Sequence, residues 1–297
     1  MAEHVIRLGP LIYEISRLRE PVVTIDPGDS VVVETEDAFS GQVRVPGDVR
    51  DRVALPLSDP VAGPIAVNGA EPGDSLRVRI VDIEPLIGQC ATYVLPAPPV
   101  VTSLPSPIPD MTRICQIVDG VIRWSKDLTI PYRPMIGLIA CAPAMGAPTT
   151  VQAGDYGGNM DIREVAPGAT VMLPVFVPGG FLYLGDCHAA QGAGEVSGIA
   201  LEMPARSRIV IDLEKAIELR WPRIETDREL MAIACGRPLD EAVGLAFSRL
   251  AVWLEKSYGW VSWEALSLLS QVGEVSVGYY WGGGVAAKVS KSFVQGT

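Results

Sequence analysis

Residues 183–202, YLGDCHAAQGAGEVSGIALE, join an apolar strand-like segment to a glycine-rich turn and a second short apolar run. His188, one of only two histidines in the chain, stands two residues after Asp186. Side chains two positions apart on an extended strand lie on the same face, about 7 Å from each other, whereas Cys187 between them faces away. An imidazole beside a carboxylate is a common ligand pair for zinc. The alternative is a hydrogen-bonded histidine near a turn, with glycines that only shape the loop.

The composition favours a β-rich architecture. The chain has 297 residues, of which 48% are hydrophobic, and its 30 glycines and 25 prolines imply many tight turns. Three Pro-Gly pairs each precede a strand-like segment, at Pro27-Gly28, Pro72-Gly73 and Pro167-Gly168. Proline sets φ and glycine takes the positive φ that a type II turn requires at the next position. We therefore expect repeated sheet corners.

The texture of the sequence changes after residue 225. Asp240 and Glu241 follow Pro238, and apolar residues then recur at helical spacing through Leu245 and Leu254. We expect a β-rich core over residues 1–225 and a helical C-terminal portion over residues 226–297, packed together as two units or as one continuous domain.

Charge and cysteine content exclude several classes of partner. The net charge of −11 disfavours nucleic acid and anionic membrane surfaces, which both select basic patches. No apolar run is long enough to span a bilayer, and the N-terminus lacks the pattern of a signal peptide. The five cysteines form no metal or disulfide pattern. A cytoplasmic protein is the expectation.

Three segments together resemble the acetamidase/formamidase family. They are the stretch around Asp186 and His188, the Gly-Gly-Asn-x-Asp element at 157–161, and the Gly-Ala-Glu-Pro-Gly-Asp element at 69–74 that follows Gly63-Pro64. They occur in the family's order over roughly residues 30–210. Ala193 stands where many relatives have a second aspartate. The resemblance implies a β-sandwich-rich fold with a helical C-terminal portion, hydrolysis of formamide or acetamide, and a homo-oligomer.

The residues leave few routes to amide hydrolysis. Two histidines cannot supply a three-histidine metal site, and no Gly-x-Ser-x-Gly elbow is present. A divalent metal, which lowers the pKa of a bound water and polarises a carbonyl, is the simplest source of a nucleophile. We expect zinc, with calcium or manganese as alternatives for a ligand set rich in carboxylates.

The expected ligands are Asp186, His188, Asp37 and Asp161. Asp37 lies in a segment similar to the family's Thr-x-Asp-x-x-x-Gly-Gln element, and its alternative is a turn carboxylate that caps its own backbone. Asp161 alternates with Asn159, so the two can share a face. Their alternative is an Asx turn after the two glycines.

Three residues are expected to act on the substrate. Glu202 follows an apolar run into the interior and is the preferred general base, with a strand-end glutamate in solvent as the alternative. Glu71 is the second candidate base, although a turn role is as plausible beside Pro-Gly. Asn159 can hydrogen-bond the amide, and backbone amides of 192–194 can bind an oxyanion.

Two other functions stay open at this point. Loss of a carboxylate at Ala193 can admit a lactam in place of a linear amide. A protein of another class, a non-catalytic β-sandwich, would use Asp37, Asp186 and His188 to hold a structural calcium ion and would bind a small molecule. Residues 94–112, rich in proline and serine, are a candidate lid over the site.

Overall fold

The computed structural model describes residues 2–217, 219–282 and 284–294. Its strands, in chain order, are β1 (Glu3–Ile6), β2 (Val23–Ile25), β3 (Asp29–Thr35), β4 (Val61–Val67), β5 (Ser75–Pro85), β6 (Gln89–Tyr93), β7 (Thr112–Val118), β8 (Val121–Arg123), β9 (Thr129–Pro131), β10 (Met135–Cys141), β11 (Ala153–Gly154), β12 (Gly157–Asn159), β13 (Thr170–Pro174), β14 (Leu182–His188), β15 (Ala205–Glu214), β16 (Arg223–Glu225), β17 (Glu229–Cys235), β18 (Glu274–Val277) and β19 (Gly284–Ser290). Its helices are α1 (Pro99–Thr102), α2 (Leu239–Tyr258) and α3 (Ser262–Val272), and a 3-10 turn covers Lys291–Phe293.

Two large sheets enclose the main core. The first has the order β1-β3-β15-β5-β13-β16-β17-β19-β18, and the second has the order β11-β12-β10-β14-β4-β2. Val31 and Val78 of the first sheet are buried in one apolar cluster with Ile136 and Leu184 of the second. Because both sheets contribute to this cluster, they pack as a sandwich, and the predicted β-rich fold is confirmed. A third sheet, β6-β7-β8-β9, lies beside them.

The predicted turns lead into strands as expected. Gly28, Gly73 and Gly168 all have positive φ, of 89°, 97° and 93°. The strands β3, β5 and β13 begin one or two residues after these glycines. Proline followed by a left-handed glycine thus reverses the chain at three corners of the sandwich.

The C-terminal helices cover the outer face of the first sheet. Leu250 and Leu254 of α2 are buried with Leu230 of β17 and Val285 of β19. The predicted apolar face of α2 is wrong at Leu245, which is 43% exposed. No helix in the described part of the chain is both long and apolar enough to cross a membrane.

The expected division at residue 225 falls inside one sheet. β16 pairs with β17 in an antiparallel hairpin, with Glu225 opposite Leu230, and β17 continues the sheet to β19 and β18. The C-terminal strands therefore extend the sandwich core.

Candidate active site

The end of β14 brings Asp186 and His188 to one buried point. His188 is 1% exposed and Asp186 is 3% exposed, and His188 Nε2 lies 3.3 Å from Asp186 Oδ1. Cys187 faces the opposite side, as strand alternation predicts, and its sulfur lies within 3.7 Å of Thr35 Oγ1 and 3.6 Å of Ser207 Oγ. Burial raises the pKa of the Cys187 thiol to about 11. This thiol is therefore a poor nucleophile at neutral pH.

A glycine on the neighbouring strand makes room for two carboxylates. Gly137 of β10 faces Asp186, and an ideal Cβ at Gly137 would lie 2.5 Å from Asp186 Oδ2 and 2.6 Å from Asp161 Oδ1. The backbone N–H of Asp161 donates to Gly137 O at 3.1 Å. Asp161, which follows β12, is thereby fixed beside Asp186.

Glu202 contacts the same nitrogen of the imidazole as Asp186. Its Oε2 lies 3.2 Å from His188 Nε2 and has no hydrogen-bond partner in the described residues. Its Oε1 accepts a hydrogen bond from the backbone N–H of Ala200 at 2.9 Å. Burial raises the pKa of Glu202 to about 7, against the lowering effect of His188. The carboxylate is thus buried, as its sequence position predicts, and can exchange a proton near neutral pH.

Gln191 determines which nitrogen of His188 carries a hydrogen. Gln191 Nε2 donates to Asp161 O at 2.7 Å, so its Oε1 must be the atom that faces His188 Nδ1 at 2.8 Å. An amide oxygen accepts hydrogen bonds only, and Nδ1 therefore donates. In a neutral imidazole the lone pair is then on Nε2, which faces the carboxylates.

Two acidic residues that the sequence did not single out join the site. Glu195 is 8% exposed, and one of its oxygens lies within 4.8 Å of ligand atoms of His188 and Glu202. Asp59 lines the same cavity, and burial together with the charge of Asp186 raises its pKa. Glu195 stands inside the quoted stretch and could have been inferred from it. Asp59 lies about 130 positions before Asp186 and has no comparable sequence signal.

Four of these carboxylates have left-handed backbone conformations. The φ angles of Asp59, Asp161, Asp186 and Glu195 are 57°, 52°, 54° and 42°. Eight non-glycine residues of the described chain have positive φ, so half of them are acids of this site. Such conformations are unfavourable by about 1–3 kcal/mol each and are retained where the surrounding structure requires them.

A cavity of about 660 Å³ opens onto the cluster. Asp59, Asp161, Asp186, Glu195 and Glu202 all line it. Asn159 lines it as well, and its Oδ1 is buried without a hydrogen-bond partner among the described residues. Leu95, at the start of the predicted lid, contributes to the rim, and the backbone N–H of Val100 donates to the Tyr280 hydroxyl at 3.0 Å.

Two of the predicted site residues lie elsewhere. The carboxylate of Asp37 accepts hydrogen bonds from the backbone N–H groups of Phe39 and Gly41, both at 3.0 Å, and pairs with Arg44. Asp37 therefore caps its own turn, which is the alternative role considered for it in the sequence analysis. Glu71 is exposed in the turn before β5, where its backbone N–H donates to Asp74 Oδ2 at 2.8 Å. The structure brings neither residue to the cavity, so both leave the proposed site.

Residues 192–194, whose backbone amides were expected to bind an oxyanion, do not line the main cavity. The N–H of Gly194 donates to Val277 O at 2.7 Å and is not free for an oxyanion. Gly192 and Ala193 line a neighbouring groove of about 450 Å³ and not the main cavity. Ala193 therefore does not contribute to the lining of the main cavity.

The cluster has the properties of a cation site. Ligand atoms of Asp161, Asp186 and His188 lie within 4.8 Å of one another, and a second such group joins His188 to Glu195 and Glu202. Asp161 Oδ1 and Glu202 Oε2 are buried without hydrogen-bond partners in the described part of the chain. Burial and mutual repulsion raise the pKa of Asp161 and Glu195. Buried carboxylates with free oxygens need protons or a cation to balance them, and the donor set fits a divalent ion.

Comparison with known proteins identifies similar chains. The sequence profile of the Acetamidase/Formamidase family matches residues 19–153 and 144–225. The crystal structure of an acetamidase from Yersinia enterocolitica is 34% identical with a TM-score of 0.91, over 100% of this chain and 94% of that one. The structure of a predicted acetamidase/formamidase from Thermoanaerobacter tengcongensis is 28% identical with a TM-score of 0.93, over 99% and 97% of the two chains.

A curated relative is longer than this chain. The formamidase from Methylophilus methylotrophus is 27% identical over 251 residues, which cover 65% of this chain and 61% of that protein. The curated relatives are matched over 56% to 63% of their own lengths.

Proposed function

The chain belongs to the acetamidase/formamidase family, and from that premise we propose that it hydrolyses short-chain linear amides to a carboxylate and ammonia. The observation that carries the proposal is that Asp161, Asp186 and Glu202 line the 660 Å³ cavity and lie beside the buried His188. Small-molecule sites typically have volumes of about 300–1,000 Å³. Formamide and acetamide are neutral, so they can enter a cavity whose acids would repel an anion.

We propose that Asp161, Asp186 and His188 hold a divalent cation, with zinc as the first choice and calcium or manganese as alternatives. The contact between Gln191 and Nδ1 supports this assignment, because it leaves Nε2 as the donor nitrogen. A cation held there would supply Lewis-acid chemistry, polarising the carbonyl and lowering the pKa of water. Burial lowers the pKa of His188, but the charges of Glu202 and Asp186 together outweigh it and raise the pKa.

Glu202 is the proposed general base. Its Oε2 has no hydrogen-bond partner among the described residues, and its Oε1 is fixed by the backbone of Ala200. The carboxylate takes a proton from the attacking water as the new C–O bond forms and the carbonyl electron pair moves to oxygen. When the C–N bond breaks, the same proton goes to the leaving nitrogen. One buried group thus serves in both halves of the reaction.

Asn159 is the proposed acceptor for the substrate N–H. Its orphaned Oδ1 lies in the cavity lining with Asp161 and Glu202. A primary amide brings two N–H donors that must be satisfied once water is excluded. Binding of the amide nitrogen to Asn159 would direct the leaving group toward one side of the cavity.

A lactam is the alternative substrate within the same chemistry, since a cyclic amide presents the same carbonyl and one N–H. The rival from another class is a non-catalytic binder in which the ion is structural. With Asp37 committed to Arg44, that ion would have to use the same Asp161, Asp186 and His188. Substitution of Glu202 separates the two hypotheses, because it would abolish turnover by an enzyme, whereas a binder has no turnover to lose.

We also propose a homo-oligomer in a reducing, cytoplasmic setting. The helical portion exposes 68% of Trp263 and 47% of Leu266, which a second copy would cover. All five cysteines are unpaired thiols. Sedimentation of the purified protein would test the first statement directly.

Ammonia release tests the function. Chelator-treated protein is assayed for ammonia with formamide, acetamide and propionamide, and for the ring-opened amino acid with a small lactam, each with and without zinc, calcium or manganese. We expect turnover of the linear amides that returns with one of these ions. Turnover indifferent to metal would remove the cation from the proposal, and absence of turnover with every ion would favour the binder.

A further inference from the structure

A loop near the C-terminus, residues 278–282, forms one wall of the cavity and lies outside the 19–225 span matched by the family profile. The backbone of this loop contacts the two chain segments that carry Glu195 and Asp161. The N–H of Tyr280 donates to Gly194 O at 3.0 Å, next to Glu195. An ideal Cβ at Gly278 would lie 2.3 Å from Met160 O, so the loop also packs directly on the chain before Asp161.

The hydroxyl of Tyr279 is buried in this wall without a hydrogen-bond partner among the described residues. The ring packs on Gly282, and the hydroxyl oxygen is 3.1 Å from the position of an ideal Cβ at Gly198. Only a residue without a side chain leaves this space at both positions. Burial, and then the charge of Glu195, raises the pKa of Tyr279. The phenol is therefore neutral at physiological pH and carries an O–H that can donate.

The orphaned polar atoms of the cavity complement a primary amide. Asn159 Oδ1 and Glu202 Oε2 accept hydrogen bonds, and Tyr279 offers a neutral donor. The other orphaned donor in the lining is Arg50 Nε. Part of the Arg50 guanidinium is already in use, because its Nη2 donates to Leu57 O at 2.7 Å, and its charge acts on Asp59. The charges of Glu195 and Asp161, by contrast, raise the pKa of Tyr279.

We propose that Tyr279 donates a hydrogen bond to the carbonyl oxygen of the bound amide and strengthens it as that oxygen becomes an oxyanion. No proton is transferred in this step; the phenol keeps its hydrogen throughout. The inference rests on the proposed amidase function and deepens it, because it assigns the two ends of the substrate. The carbonyl points to Tyr279, and the nitrogen points to Asn159. Loss of one oxyanion donor typically lowers kcat by about 10²–10³-fold.

The test compares Tyr279→Phe with the neighbouring control Tyr280→Phe. Tyr280 has a partner for its hydroxyl, the N–H of Val100, and does not line the cavity. We expect Tyr279→Phe to lower kcat on acetamide by about 100-fold with unchanged metal content. Its thermal stability should be equal or higher, since deletion of an unpaired buried hydroxyl removes a desolvation penalty. Tyr280→Phe should keep its activity and be slightly less stable.

A thioamide substrate distinguishes donation to the carbonyl from general support of the site. Sulfur accepts hydrogen bonds weakly, so the effect of Tyr279→Phe should shrink to less than about tenfold on thioacetamide. An equal loss on both substrates, or a variant with less bound metal, would overturn the inference while leaving the amidase intact. Wild-type activity within twofold in Tyr279→Phe would also overturn it. An inactive wild-type protein would overturn the amidase proposal itself.

Discussion

Gly137 and Asp186 face each other across β10 and β14, and an ideal Cβ on Gly137 would lie 2.5 Å from Asp186 Oδ2. The same Cβ would lie 2.6 Å from Asp161 Oδ1. Two of the proposed cation ligands therefore depend on the absence of a side chain at a residue that binds nothing itself. Strand pairing continues on both sides of this point, with Leu138 opposite Gly185 and Ile136 opposite Cys187.

Gly137→Ala should disable the site. The new methyl group would displace Asp186 and Asp161, and a displacement of about 1 Å can reduce turnover by about 10²-fold. Metal content by atomic absorption and ammonia release would be measured together. Gly192→Ala is the matched control, because nothing lies within 4 Å of its ideal Cβ. Full metal content in Gly137→Ala would contradict the assignment of these two ligands.

Glu202→Gln should abolish turnover while the protein keeps its cation. The amide has the same shape as the carboxylate but cannot accept the proton of water, and loss of a general base lowers the rate by about 10²–10⁴-fold. Glu71→Gln, in an exposed turn, should behave as wild type. If Glu71→Gln lost activity and Glu202→Gln did not, the roles of the two glutamates would be reversed.

Gln191→Met should weaken cation binding and leave Glu202 in place. The thioether neither accepts the Nδ1 hydrogen of His188 firmly nor donates to Asp161 O, so both the imidazole and Asp161 lose their orientation. Loss of a hydrogen-bond partner of a metal ligand typically lowers metal affinity by about 10–100-fold. Titration of chelator-treated protein with zinc measures the change. An unchanged affinity would mean that Nδ1 does not need Gln191.

Asp74→Asn should destabilise the protein at neutral pH but not in acid. Asp74 accepts hydrogen bonds from Glu71 N and Ala216 N and pairs with Lys215, and together these contacts lower its pKa despite burial. A carboxylate with a lowered folded pKa stabilises above its unfolded pKa, and the contribution disappears as pH falls through the folded value. We expect a loss of about 1 kcal/mol at pH 7, typical of one such site.

Urea unfolding at pH 7 and at a series of pH values falling below 3.8 would check this expectation, with the stabilities of the two proteins converging as the pH passes below the lowered pKa of Asp74. A gap of constant size would show that the contacts do not depend on the charge of Asp74.

Local spacing predicted the part of the site that lies in one segment. Asp186 and His188 were expected to share a strand face because they are two residues apart, and Glu202 was expected to be buried because it follows an apolar run. Asp161 came from the family's Gly-Gly-Asn-x-Asp element. The family resemblance and the β-rich fold are both confirmed by the comparisons.

The rest of the site is formed by contacts between residues that are far apart in the sequence, and local patterns do not predict such contacts. Asp59 reaches the cavity only because the sheets pack as they do, and no periodicity marks it. Asp37 lies outside the cavity for a local reason. Its carboxylate accepts hydrogen bonds from two backbone N–H groups of its own turn and pairs with the nearby Arg44. Glu71 does not line the cavity, because it is exposed at the turn that contains the following Pro-Gly pair.

The hydrogen bonds that join Val277 and Tyr280 to Gly194 limit how the chain can be shortened. A fragment ending at residue 225, where the profile match ends, would lack β17 and leave β16 as an uncovered sheet margin. It would also lack Tyr279, so the cavity would be open to water on that side. The segment beyond the profile match is therefore part of the cavity wall, and fusion partners belong after it.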